Sequence, residues 1–156
     1  MDGEFTFHFD DAYDFARRMA KAPEIVGEEM TQGIDRLTIK GEGYTKVETP
    51  VRSGHLRRSI AHQPATFAGG IARGLWGTST PYAEPVEKGR RGFSAGPGKV
   101  LRFIPKGSRT PIYRKRVGPA AGHFMFEKAK NRLRPEIQRE FRNVTKRIIV
   151  RMGSSA

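Results

Sequence analysis

The residues best suited to chemistry are few, and their spacing argues against most kinds of it. Four histidines occur, His8, His55, His62 and His123. No two stand three or four residues apart, so no helical face gathers the imidazoles that a zinc or iron centre needs. Glu84 and Glu87 have the types required of a general acid and base. They lie beside Tyr82 and Pro85 in a stretch that reads as a strand, where a structural ion pair is the simpler expectation. Ser53, Ser59, Ser79, Ser94 and Ser108 lack the strand-turn-helix context of a nucleophile elbow. Gly96-Pro97-Gly98-Lys99 resembles a phosphate loop only superficially. It lacks the earlier glycine, the Ser or Thr after the lysine, and a helix to aim amides at phosphate. We therefore expect no enzyme, no metal and no cofactor.

Nucleic-acid contact is better supported. Arg90, Arg91, Lys99, Arg102, Lys106, Arg109, Arg114, Lys115 and Arg116 are interleaved with Phe93, Phe103 and Tyr113. Guanidinium and ammonium groups attract phosphates, and aromatic rings stack on unpaired bases. Phe103 and Tyr113 also fall in an apolar alternation that core packing explains equally well. No zinc-finger, homeodomain or ribonucleoprotein signature accompanies them. Any contact would be sequence-independent attraction to the backbone.

The elements that must position these residues follow from periodicity. Residues 4–9 alternate polar and apolar, the period of a short strand or extended arm. Asp10 and Asp11 offer caps for a helix to about Lys21, and Pro23 fits the first turn of a second one. Val26, Met30, Ile34, Leu37, Tyr44 and Val47 then form one helical stripe, which Gly33, Gly41 and Gly43 weaken. Thr49-Pro50 ends it. Arg57 to His62, Gly70 to Thr78 and Tyr82 to Glu87 read as strands, and 88–99 as a mobile loop with nothing to pack. Val100 to Ile104 and Ile112 to Val117 read as a hairpin turned by Pro105 to Pro111. Phe126, Ala129, Leu133, Ile137, Phe141, Val144 and Ile148 mark a last helix, which Pro135 should kink or restart. Arg132, Arg134, Arg139, Arg142, Lys146 and Arg147 occupy its other, solvated face.

The expected fold is α+β: N-terminal helices and a C-terminal helix packed on a small, mostly antiparallel sheet with a long basic loop and hairpin. One domain spans 1–156. Its parts are an arm and short helix (1–22), a long helix (23–48), a sheet region (49–119) with loop 88–99 and hairpin 100–117, a helix (120–151) and a disordered tail (152–156).

Charge is unevenly divided. Residues 1–50 hold 6 Lys/Arg against 11 Asp/Glu, whereas 51–156 hold 23 against 5, giving +13 overall. Nucleic acid, acidic neighbours, or the acidic face of one copy meeting the basic face of the next would each suit this division. The absence of cysteine fits synthesis in a reducing cytoplasm. The acidic start Met1-Asp2-Gly3-Glu4 is unlike a secretory signal, and no run of 18 apolar residues suggests a membrane span.

Two phrases add a resemblance. Thr49-Pro50-Val51-Arg52-Ser53-Gly54-His55-Leu56-Arg57-Arg58-Ser59-Ile60 precedes Trp76-Gly77-Thr78-Ser79-Thr80-Pro81-Tyr82-Ala83-Glu84-Pro85-Val86-Glu87-Lys88-Gly89. In this order they resemble the gene-product-ten-like tail-component family of lambda-like tailed phages, over roughly residues 24–150. The positions that match are Thr49, Pro50, Gly54, Leu56, Ser59, Ile60, Gly77, Thr78, Tyr82, Ala83, Val86, Glu87 and Gly89. Phe124 and Ala129 match before the last helix, although a second proline usual in the family is missing from Gly118 to Ala129. Physically these read as folding residues: Pro50 stops a helix, Gly54 takes a turn, Leu56 and Ile60 anchor the exit, and Tyr82, Val86 and Gly89 close a strand.

The resemblance implies a homo-oligomeric ring at the head-tail junction of the virion, assembled in the host cytoplasm, next to head-closure and tail-terminator proteins. Loop 88–99 and hairpin 100–117, with Arg90, Arg91, Lys99, Arg102, Lys106, Arg109, Arg114, Lys115 and Arg116, would dock on adjacent rings or face the passing DNA. The alternative is a free, sequence-independent nucleic-acid-binding protein that uses the basic two-thirds.

Overall fold

The computed structural model describes residues 10–105 and 107–153; within its first helix the side chains of 10–15 and 18 lie outside the description. The alternating segment 4–9 and Lys106 also lie outside it. The architecture is α+β, with helices and small antiparallel pairs.

Helix α1 runs unbroken from Asp10 to Glu48. The expected break at Pro23 does not occur. Pro23 is exposed, so the carbonyl it leaves without a partner one turn back can bond to water, while Ile25 and Glu29 are buried just beyond it. Helix α4 (Met125–Gly153) likewise continues through the exposed Pro135. It begins five residues later than expected and takes in Met152 and Gly153 from the expected tail; 154–156 are outside the description.

The two helices lie antiparallel, joined by ion pairs that follow one another along the seam. Arg147 Nε meets Glu29 at 2.7 Å, Arg36 Nε meets Glu140 at 2.8 Å, and Lys40 Nζ meets Glu136 at 2.5 Å. Arg151 closes the end on Glu28 and Glu29 at 2.8 and 3.2 Å. Arg147 is therefore not on a purely solvated face, and Arg132 stacks over the Tyr44 ring at 4.4 Å. Part of the acidic and basic division is thus used within the chain.

Glycines in α1 mark its tightest contacts. A Cβ at Gly33 would lie 2.6 Å from Val144 Cγ2, and one at Gly41 would lie 2.8 Å from the Trp76 ring. The buried line is Ile25, Glu29, Leu37, Thr38, Thr45 and Thr49, rotated from the expected apolar stripe, of which Val47 is 66% exposed. Small residues let the neighbours approach the backbone, and packing there outweighs the low helix propensity of glycine.

Strands β1 (Ala61–Ala68) and β2 (Ile71–Gly77) form an antiparallel hairpin laid on α1. The register shifts between Gln63 and Thr66, and α1 carboxylates bond backbone N–H groups in and just before that stretch. Asp35 Oδ1 accepts from Ala65 N at 2.5 Å, and Glu42 Oε2 accepts from His62 N at 2.9 Å. The Glu42 carboxyl is pulled down to about 2, first by its bond to Lys46 and then by the His62 ring, against burial that raises it.

The rest of the expected sheet is absent as a single layer. Arg57 to His62 is not a strand throughout: α2 (His55–Ser59) occupies its start, because Gly54 at φ 76 turns the chain and its carbonyl accepts from Arg58 N at 3.0 Å. Tyr82 to Glu87 is not a strand either but α3 (Ala83–Lys88). Its inward residues Ala83, Val86 and Glu87 fit a helical spacing, but six residues are too few for periodicity to separate a helix from a strand.

Candidate functional site

The matched positions of the two phrases and of the last helix's start converge on one junction. Leu56 from α2, Ala83 from α3 and Met125 from α4 form a buried cluster, with Val86 and Phe126 packed on it. Thr49 Oγ1 donates to the Thr45 carbonyl at 2.5 Å and touches Met125 Sδ at 3.4 Å. Ile60 and Ala129 are fully buried. Pro50 lies just past the end of α1, and Gly77 ends β2 opposite Ala61.

Three hydroxyls stitch the phrases together. Ser59 Oγ lies 2.7 Å from Thr78 Oγ1, Thr78 lies 3.0 Å from Thr80 Oγ1, and Thr80 donates back to Ser59 at 2.7 Å. The single Ser59 proton has two acceptors in reach, Thr78 Oγ1 and the Leu56 carbonyl at 2.8 Å, so it closes the ring or ties it to α2. Thr80 was not among the positions singled out, although it stands inside the second phrase; only the closed ring gives it a role.

Glu87 acts at a distance. Its carboxylate accepts from the backbone N–H groups of Phe126 and Glu127 at 3.1 and 3.2 Å, the first unpaired donors of α4. The backbone beside it is paired too, with His123 N on the Val86 carbonyl and Phe124 N on that of Glu87, at 2.9 and 3.0 Å. Phe124 has φ 52, a conformation side chains seldom adopt, and it delivers the chain into the helix. Glu84 pairs instead with Lys88 at 2.9 Å, as expected of a structural ion pair. The two carboxylates therefore have separate structural partners.

From this junction springs a basic ribbon. Strand β3 (Gly89–Arg90) pairs with β8 (Ala120–Ala121), and β4 (Phe93–Ser94) pairs with β7 (Arg116–Val117), in one shared register. The expected loop 88–99 is thus largely one side of a two-stranded arm, not a segment with nothing to pack. Residues 120–121, expected in the last helix, belong to the other side. Gly89 roots it at φ 84, where a Cβ would stand 2.6 Å from the Ala120 carbonyl oxygen.

Residues 95–100 bulge opposite Lys115, and β5 (Leu101–Phe103) then pairs with β6 (Ile112–Arg114) as the expected hairpin. Arg52 ties the far part back through the Ile104 carbonyl at 3.3 Å. Arg90, Arg91, Lys99, Arg102, Arg109, Arg114, Lys115 and Arg116 are all exposed on this arm. Arg90 lies over the Phe93 ring at 5.1 Å. Tyr113 is 59% exposed, so core packing does not account for it.

Beside the junction lies an apolar groove of about 640 Å³, lined among others by Pro50, Val51, Gly54, Leu56, Tyr82 and Val86. His55 Nδ1 meets Tyr82 Oη at 3.0 Å on its rim. Among the described residues no group of three His, Cys, Asp or Glu could hold a metal ion, and no helix is long and apolar enough to cross a membrane.

No known protein family, curated protein or solved structure matches the chain.

Proposed function

We propose that the chain is a structural virion protein of a tailed phage, a ring-forming neck or tail-completion subunit that joins the head connector to the tail and bounds the DNA channel. One observation carries the reading: residues 49–60, 76–89 and 124–129, which bear the resemblance to the phage tail-component family, meet in a single junction that roots the basic arm. Those residues use their polar groups on one another. Ser59, Thr78 and Glu87 hold backbone and hydroxyl partners, as befits a scaffold for an arm more than a site of turnover.

Residues 88–118 contain ten Lys/Arg and no Asp or Glu. Such an arm suits docking on an adjacent head-closure or tail-terminator ring, or lining the path of passing DNA by backbone attraction. Gold-labelled antibody to the chain should decorate the head-tail junction of intact virions of the phage that encodes it. Label elsewhere, or none on particles, would contradict the reading.

The same concentration of charge favours one rival, a free protein that binds nucleic acid without reading sequence. That rival requires DNA affinity that falls steeply with salt, together with absence from virions.

A further inference from the structure

Among the described residues, the apolar groove at the C-terminal end of α1 stands open, and its surroundings are basic. Val51 is 50% exposed in it and Tyr82 45%. Arg52 lines it, and the Arg58 guanidinium stands beside Gly54 at its edge. Its natural complement is an acidic segment with apolar residues on one side. The chain contains one: Glu4-Phe5-Thr6-Phe7-His8-Phe9-Asp10-Asp11, with three phenylalanines at alternate positions between carboxylates. In an extended chain, alternate side chains share a face, which would turn Phe5, Phe7 and Phe9 together toward an apolar surface.

This segment cannot reach the groove of its own copy. Thirty-eight residue steps separate Asp10 from Glu48 in one helix, a span of about 57 Å at ~1.5 Å per residue. From Asp10, a fully extended chain back to Glu4 covers only about 21 Å at ~3.5 Å per residue. In sequence the donor segment precedes one end of this helix, and the groove lies at its other end. Near the start of that helix Ala16, Met19, Ala20 and Lys21 are exposed.

We propose that residues 4–9 of one copy bind the groove between α2 and α3 of the next copy, so that each α1 bridges neighbouring subunits. Donor and acceptor are different parts of the chain. The contact is head-to-tail, the type that closes into rings when the rotation permits. The inference rests on the ring-forming reading above and names the surfaces that would make the ring.

The chain lacks cysteine, which allows a clean crosslinking test on the full-length protein. Chains carrying Phe7→Cys are mixed with chains carrying Val51→Cys and treated with a short bis-maleimide. Leu75→Cys, 59% exposed on β2, serves as the control acceptor. A crosslinked dimer several-fold more abundant with Val51→Cys than with Leu75→Cys is expected. A doubly substituted Phe7→Cys, Val51→Cys chain should give a ladder of oligomers. Equal yields for the two acceptors, or closure of the double variant within one chain, would overturn the proposal. Virion labelling reports on the neck reading separately, so failure of either leaves the other identifiable.

Discussion

Gly33→Ala offers a sharp test of how α1 and α4 are packed. The added methyl would lie 2.6 Å from Val144 Cγ2, whereas carbon atoms in good contact stand about 3.5–4.0 Å apart. Val144 is 2% exposed, and its branched side chain is stiff at χ1, so it yields little. Overpacking of this kind costs about 1–3 kcal/mol, and exchanging glycine for alanine inside a helix returns about 0.5–1 kcal/mol. The net is a loss of about 1 kcal/mol.

Gly43→Ala is the matched control, since nothing lies within 4 Å of its added methyl. It should gain about 0.5–1 kcal/mol. The two variants, differing only in position along one helix, should split by roughly 2 kcal/mol, or about 4–8 °C in Tm for a chain of this size. Urea or thermal unfolding measures this directly. In a Val144→Ala background the space is open, and Gly33→Ala should become stabilising, giving a coupling of about 0.5–3 kcal/mol. Equal stability of Gly33→Ala and Gly43→Ala would refute the close approach of the helices.

Other outcomes follow from the junction and the arm. Glu87→Ala should cost about 1–2 kcal/mol in unfolding experiments by freeing two donors at the start of α4, and Glu87→Gln should cost less because it retains an acceptor. Ser59→Ala should cost about 1–3 kcal/mol by opening the hydroxyl ring at the largely buried Thr80, measurable by urea unfolding. The Glu42 carboxyl titrates at about 2 in the folded chain against an ordinary 4.5, so its stabilisation is complete above about pH 4.5 and fades as pH falls toward 2. Glu42→Gln should therefore be less stable than the parent at neutral pH, with the gap closing through that window in an acid-unfolding series. Replacing Arg114, Lys115 and Arg116 with alanine should flatten the salt dependence of any DNA binding by up to about three contacts' worth, read from the slope of log affinity against log salt.

The long periodic elements were legible in the sequence because each residue's neighbours a turn away carry the signal. Ala129, Leu133 and Val144 are buried at the spacing their positions suggested. The β1–β2 hairpin was partly visible, since Gly70 to Thr78 closely brackets β2. Misreadings came where local preference and tertiary packing disagree. Pro23 and Pro135 are poor helix residues, yet both sit on exposed faces where a missing backbone bond is cheap. Gly33 and Gly41 look like weaknesses until Val144 and Trp76 are placed against them.

The arm was hidden for a different reason. Its lower ladders are two residues long and separated by glycine and proline, so no strand period exists to be seen. What holds it is pairing between residues far apart in the chain, as in Arg90 with Ala120, thirty residues on. Glu87 capping a helix 39 residues away is equally nonlocal. The matched phrases indicated which residues belong together, while the physical purpose of Ser59, Thr78 and Glu87 became visible only from distances.

Deleting the gene from its parent phage or prophage and imaging the lysate by electron microscopy tests the central claim most directly. Filled heads alongside separate finished tails, with joining restored when the chain is supplied, is the predicted result. Normal, infectious, fully joined particles would contradict a neck role.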